Sequence, residues 1–257
     1  MPDESPWISD TGITDAVFRA VRSGNAFEET VERLLEGIKL GVYAPGDRLP
    51  AERELTRRLG VSRITLRDAL RELGSTGYVE TKRGRFGGTF VIRQPAPELD
   101  SVVRDMGGSL EDALTFRRVV EAGAAEAAAR ATLTQRQRED LAECLAVVQD
   151  AVAARGSNSE ALAGDAGYRQ ADTRLHLAIA DAAGSPLLTA SVVQARVRLV
   201  DLLNAIPMLR RNLDHANVQH ARIVHAILNG NPDRARRAME EHVAGTAALL
   251  RGFLREG

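Results

Sequence analysis

Leu49-Pro50-Ala51-Glu52-Arg53-Glu54-Leu55, then Leu59-Gly60-Val61-Ser62-Arg63-Ile64-Thr65-Leu66-Arg67, then Gly77-Tyr78-Val79-Glu80-Thr81-Lys82-Arg83-Gly84-Arg85-Phe86-Gly87-Gly88-Thr89-Phe90-Val91: these runs, in this order, spell helix, turn, helix and hairpin. Leu55 and Leu59 lie one turn apart on one face of the first helix. Gly60 is free to take the positive φ that ends it. Ser62 suits the N-cap of the second helix, because its hydroxyl can accept from a backbone N–H that has no helical partner. Leu66, Ala69, Leu70 and Leu73 then recur at helical spacing as a buried stripe, while Arg63, Arg67 and Arg71 repeat every fourth residue on another face. Gly74 and Gly77 are read as the end of that helix. Tyr78–Thr81 and Thr89–Ile92 read as short strands around a loop of cations and glycines. The pattern is a winged helix-turn-helix, with one helix for the major groove and a basic wing for the backbone or minor groove.

A helical hairpin with merely solvated arginines is the plainer alternative, and charge separates the two. Arg48 to Arg93 holds 11 Lys and Arg against 5 Asp and Glu, a net of +6, although the whole chain is −1. Positive charge gathered on the helix-turn-helix is the footprint of phosphate binding.

Pro45-Gly46-Asp47-Arg48-Leu49-Pro50-Ala51-Glu52-Arg53-Glu54-Leu55, followed by Gly60-Val61-Ser62-Arg63 and the glycine-rich wing, resembles the N-terminal domain of GntR-type bacterial transcription factors over Glu28 to Ile92. The resemblance implies DNA contacts at Arg53, Ser62, Arg63, Thr65 and Arg67, and in the wing at Arg83, Gly84 and Arg85. The sequence departs from the family at Ala51, where a capping Ser is commoner, and at Ile64, where Thr is common.

Working outward, 257 residues suit one large or two ordinary domains, and 44% hydrophobic residues suffice for a core. Aromatics are only 4%, and Ala and Leu abound, which favours helix over sheet. The single cysteine, Cys144, has no partner for an internal disulfide and reads as a buried filler. Asp3 and Glu4 stand where a secretory signal would be basic, and no apolar run approaches the ~20 residues that span a bilayer. A cytoplasmic location is expected.

Ala16, Val17, Ala20 and Val21 suit a short helix in an N-terminal extension, residues 1–27, that docks on the body. Val31, Leu34, Leu35 and Ile38 stripe a helix over Glu29–Leu40, which opens a winged domain, residues 28–94. Pro95-Ala96-Pro97 stops strand and helix alike and begins a linker, residues 95–108, with a short helix over Leu99–Gly108. From Ser109 no strand pattern survives. Helices are expected to about Arg130, over Gln135–Arg155 capped by Thr134, over Glu160–Ala163, over Tyr168–Ala183, from Pro186 to Ala205, over Asn212–Leu228, and from Pro232 to about Leu254. Ser109 with Asp112, Ser185-Pro186 and Asn231-Pro232 are N-terminal signatures. The fold class is mainly α: a winged helix-turn-helix with a small β-hairpin wing, then an all-α antiparallel bundle over residues 109–257.

All five histidines lie in that bundle. Asp172 and His176 share a helix face, and His220 and His242 each sit beside an apolar stripe on a later helix. One carboxylate and three imidazoles converging would suit a divalent metal, although an Asp-x3-His pair by itself is more often a surface pair. His215 and His225 are five residues from His220, so they point about 140° away from it. Ala171-Asp172-Thr173-Arg174-Leu175-His176, Gln219-His220-Ala221-Arg222-Ile223 and Ala238-Met239-Glu240-Glu241-His242 look like the ligand segments of the FCD domain, the effector-binding bundle of the FadR-like subgroup of GntR regulators. The resemblance covers Ser109 to Leu254. It implies a divalent metal on Asp172, His176, His220 and His242, zinc first, with nickel and manganese as alternatives. Phe116-Arg117-Arg118-Val119-Val120-Glu121 matches the family's arginine segment, which implies that Arg117 grips a small carboxylate effector through its forked guanidinium. The alternative is a surface pair with Glu121. Arg196 and Arg198 are further candidates for that pocket.

The function expected is a homodimeric, effector-controlled transcription factor, a repressor on family grounds, reading a palindromic operator in double-stranded DNA, and not an enzyme. The rival readings are a metal-dependent hydrolase or lyase fused to a DNA-binding domain, and a sensor of the metal itself. Arg63→Ala and Arg67→Ala should each weaken operator binding by about 1–3 kcal/mol. Gel-shift titrations showing equal losses on operator and random DNA would leave only phosphate contact.

Overall fold

The structure is a computed structural model that describes residues 17–18, 26–84, 87–92, 110–154, 161–205 and 210–255. The chain divides into two compact units, Met1–Pro95 and Ala96–Gly257.

The first unit holds α1 (Ala26–Lys39), α2 (Glu52–Leu59), α3 (Arg63–Ser75), β1 (Val79–Lys82) and β2 (Gly88–Val91). Its core is the predicted stripes: Leu34 and Ile38 of α1, Leu55 and Leu59 of α2, Leu66, Ala69, Leu70 and Leu73 of α3 are all buried. Each fully buried leucine contributes roughly 1.5–3 kcal/mol. Gly60 ends α2 at φ 68°, and its N–H donates to Thr56 O. Gly74 does not end α3; the helix runs to Ser75, and Gly77, at φ 79°, turns the chain into β1. The strands pair antiparallel with Val79 opposite Val91 and Lys82 opposite Gly88, so both valines face the core. Gly87 is required in the wing, because a Cβ there would stand 2.4 Å from Lys82 O. Of the proposed N-terminal helix only Val17 and Phe18 fall among the described residues. Both are buried: Phe18 stacks on Tyr43 at 5.6 Å between centroids, and Val17 packs where α1 has Gly37.

The second unit holds α4 (Leu110–Arg130), α5 (Gln135–Ala154), α6 (Ala161–Ala182), α7 (Pro186–Ala205), α8 (Arg210–Leu228) and α9 (Pro232–Arg255). Helix α4 is central and packs against α6, α7, α8 and α9. Its alanines 113, 122, 124, 125, 128 and 129 are buried, and their small side chains let several helices approach one axis. The caps are as read. Thr134 and Gln137 form a reciprocal capping box, Ser185 Oγ accepts from Leu188 N at 3.3 Å, and Asn231 Oδ1 accepts from Arg234 N at 3.1 Å. The largest difference in boundaries is that the two helices expected over Glu160–Ala163 and Tyr168–Ala183 are one helix, α6. Gly164 and Gly167 cost about 1 kcal/mol each in a helix interior, and the buried Tyr168, Ala171, Leu175 and Ile179 that follow anchor it. Helices α1 and α8 begin three and two residues earlier than expected. Ser109, the helix expected over Leu99–Gly108, and residues 155–160 lie outside the described residues. Among the described residues no helix is long and apolar enough to cross a membrane.

Ala51 precedes α2 with φ −56° and ψ 145° and no side-chain cap. Ala51→Ser therefore supplies an acceptor where the backbone already has a capping conformation. It should raise the stability of the winged unit by about 0.5–1 kcal/mol, measured as a higher urea midpoint with an unchanged slope.

Candidate functional site

Helix α3 presents its first turn to solvent. Ser62 Oγ accepts from Thr65 N at 3.0 Å and lies 2.8 Å from Thr65 Oγ1, so two residues expected at DNA also tie that turn together. Arg53, Ser62, Arg63 and Arg67 are exposed and Thr65 is half-buried; Arg83 and Gly84 are exposed in the wing, while Arg85 lies outside the described residues. Arg67 Nε donates to Glu52 Oε2 at 2.9 Å, and Arg71 to Asp68 at 2.7 Å. Glu54 accepts from Arg57 and Arg58 at 2.6 Å each, which pulls its carboxyl down to about 2. Glu52, Glu54 and Asp68 are already subtracted in the net of +6, so these pairs tie up Arg57, Arg58, Arg67 and Arg71 and leave that excess in place.

The second site is buried in the helical unit. Asp172, His176, His220 and His242 offer one donor atom each, all within 4.8 Å of one another. They come from α6, α8 and α9. Glu121 of α4 accepts from His176 Nδ1 in a very short bond, and Gln219 Oε1 lies 3.2 Å from His242 Nδ1. With those nitrogens protonated, both rings turn a lone-pair-bearing Nε2 toward the shared space. His220 Nε2 lies 3.3 Å from His242 Nε2 and 3.3 Å from Asp172 Oδ1, and His176 Nε2 lies 3.8 Å from the same oxygen. Asp172 Oδ2 is held by Arg196 at 2.6 Å, which leaves Oδ1 as the inward donor. His215 and His225 are exposed, away from the cluster.

Electrostatics keep these donors in ligating form. Burial lowers the pKa of His176, and for His242 burial and the neighbouring His220 and His176 lower it far, so both rings stay neutral. Burial opposes the ionisation of Asp172 and Glu121, but the Arg196 charge on the first, and the Arg117 and Arg196 charges with the His176 N–H on the second, outweigh it and hold both carboxyls well below the usual range. Arg117 is buried and donates through Nε to Glu121 Oε1 at 2.9 Å, so the predicted pair exists, but inside the bundle and not on its surface. Arg117 NH1, Arg196 NH1 and His176 Nε2 are buried without a hydrogen-bond partner among the described residues. Three imidazoles and one carboxylate oxygen form a donor set that fits zinc or a similar divalent ion: ligand distances of about 2.1 Å put tetrahedral neighbours about 3.4 Å apart.

Sequence reasoning assigned no role in the cluster to Glu121 or Gln219, and left Arg196 level with Arg198. Arg196 is buried at the site and Arg198 is exposed. Arg196 falls where α7 is otherwise apolar, between buried Ala195 and Leu199, and that was the available signal.

A winged helix-turn-helix joined to a helical unit with a buried cluster of metal-ligating side chains defines a DNA-binding regulator with a small-molecule-sensing domain. Residues 27–91 match the bacterial regulatory proteins of the gntR family, and residues 112–245 match the FCD domain. The chain is 32% identical over 248 residues to RmpR of Mycobacterium gastri, a proposed HTH-type transcriptional regulator, covering 91% of this chain and 83% of that one. It is 29% identical over 261 residues to the HTH-type transcriptional repressor NanR of Enterobacter sp. (strain 638), covering 93% of each. The solved structure of E. coli McbR/YncC matches at 20% identity with a TM-score of 0.51, over 89% of this chain and 98% of that one, a likeness of fold alone. The chain belongs to the GntR family of transcriptional regulators and carries a C-terminal FCD domain. These families and relatives are regulators of transcription and not enzymes, which sets aside the hydrolase or lyase reading. FCD domains can bind a metal, and the Asp172–His242 cluster is of that kind.

Glu121→Ala would leave Arg117, Arg196 and His176 Nδ1 without their shared carboxylate. The helical unit should lose about 3–5 kcal/mol in chemical denaturation. A loss below about 1 kcal/mol would mean that another group carries the cluster.

Proposed function

We propose that this chain is a cytoplasmic, homodimeric repressor whose grip on a palindromic operator is set by a small carboxylic acid. Its parts are an N-terminal extension (1–27), a winged domain (28–94) that reads one half-site, a linker (95–108) and a sensing domain (109–257). Arg53, Ser62, Arg63, Thr65, Arg67, Arg83, Gly84 and Arg85 contact DNA. Asp172, His176, His220 and His242 hold a divalent cation, zinc in preference to nickel or manganese. When bound, that cation would supply a fixed positive charge that attracts the carboxylate of the acid. Support for repression comes from the relative named as a repressor.

One observation carries the sensing half: the donors of Asp172 and three histidines lie within 4.8 Å of one another, and Arg117 Nη1 is buried without a hydrogen-bond partner among the described residues. That guanidinium is held in place through its Nε by Glu121. A buried guanidinium donor left without a hydrogen bond is costly, and a carboxylate satisfies it with a charge-assisted bond. Arg196 orients Asp172 by taking Oδ2, so that Oδ1 stays turned inward. The acid acts on DNA binding only as far as it favours one conformation of the dimer over another.

His220→Ala should remove bound metal, read by elemental analysis of purified protein; unchanged stoichiometry would take His220 out of the site. A thermal-shift panel of small carboxylic acids, run with zinc present, should find at least one that stabilises the wild type by several degrees. Arg117→Lys, which keeps the charge and loses the fork, should lose that response and keep operator binding in the acid's absence. A normal response in the variant refutes the role given to Arg117.

A further inference from the structure

The second residue of α3 is Ile64, and its side chain is 74% exposed, far more than any other large apolar residue described in the first unit. It is no part of the helix's packing stripe, since Leu66, Ala69, Leu70 and Leu73 are all buried and Ile64 points elsewhere. Its neighbours in the chain are Arg63 and Thr65, and its neighbour one turn on is Arg67, so an apolar spot sits inside a polar, cationic first turn. That turn is well ordered by the Ser62 cap, which fixes where the isoleucine projects. A branched apolar side chain so placed gains nothing in the free protein. In a helix whose N-terminal residues meet base edges, it gains when the duplex offers an apolar surface. The major groove offers one such group, the C5-methyl of thymine.

We infer that Ile64 reads thymine: it packs on the C5-methyl of one thymine in each half-site of the operator. Specificity at that base pair comes from apolar contact, where a threonine at this position would bring a hydroxyl. The inference rests on the reading of α3 as the helix that lies in the groove. It predicts an operator in which one thymine cannot be exchanged for a base that lacks the methyl, while the flanking positions answer to Arg63 and Arg67. Burying one methyl group against the isoleucine is worth about fourfold in affinity per half-site.

The test uses the full chain. Selection from random duplexes defines a consensus, and each thymine in it is then replaced singly by deoxyuridine, which removes only the methyl. One replacement per half-site should weaken wild-type binding about fourfold and leave Ile64→Ser, which has no methyl to offer, within experimental error. Thermal melting should show Ile64→Ser as stable as wild type, because the side chain is exposed. Two results overturn the inference: no thymine responds to loss of its methyl, or the responsive thymine weakens wild type and Ile64→Ser equally. In both, Arg63→Ala would still lose operator preference, so groove reading by α3 would stand. If selection yields no consensus and Arg63→Ala binds operator and random duplex alike, groove reading fails and Ile64 falls with it.

Discussion

A single buried carboxylate holds the sensing end of this protein together. Glu121, on the central helix α4, receives Arg117 on one oxygen and His176 Nδ1 on the other, with Arg196 NH1 3.6 Å away. Burial by itself would protonate it, and two guanidinium groups reverse that. Within the cluster the formal charges of Glu121, Asp172, Arg117 and Arg196 cancel, which is how four ionised groups persist when buried. The same arrangement sets the geometry of the donor cluster. Glu121 fixes the tautomer and plane of His176, and Arg196 fixes which oxygen of Asp172 turns inward. The ligating face is thus organised from behind, by groups that do not themselves offer an inward donor.

This explains what could and could not be read beforehand. Asp172, His176, His220 and His242 were found from residue type and helical spacing, with the family resemblance deciding between a surface pair and a site. Glu121 was visible only as the i+4 neighbour of Arg117, and such pairs are ordinarily solvated. The contrary signal lay in the helix itself. Glu121 opens the alanine-rich half of α4, where Ala122, Ala124, Ala125, Ala128 and Ala129 are buried, and a charged residue on that face must be paired inside. Gln219 carried no signal, because a glutamine beside a histidine is ordinary, and only the packing of α8 against α9 brings it to His242.

The fold was legible wherever local chemistry and tertiary packing agree. Gly60, Ser62, Thr134, Ser185 and Asn231 each do at one position what their side chains favour, and each marks a helix end that the structure keeps. Where the two disagree, packing wins. Gly164 and Gly167 argue for a break, yet α6 runs through them, and Gly74 lies inside α3 because Leu70 and Leu73 commit the last turn to the core. Charge counting was legible only in gross form. It found the cationic segment but not the ion pairs within it, since Glu54 and Glu52 reach arginines of α2 and α3 by geometry that composition does not carry.

The two ends of the chain use charge in opposite ways, and each way suits its task. On α2 and α3, Arg67 and Arg71 sit with exposed carboxylates, pairs worth no more than about 1 kcal/mol in water. Such partners are exchangeable. A phosphate or a base edge can displace them at little cost, and until then they lower the self-repulsion of a strongly cationic surface. In the helical unit the pairs are buried, so a donor without a hydrogen-bond partner among the described residues, such as Arg117 Nη1, is costly. Weak, exposed pairs make a surface that can be re-partnered by any duplex, with the choice among sequences left to shape and base contact. Strong, buried pairs hold their donors in one arrangement, so what such a cluster can accept is set by charge and geometry and not by exchange with solvent.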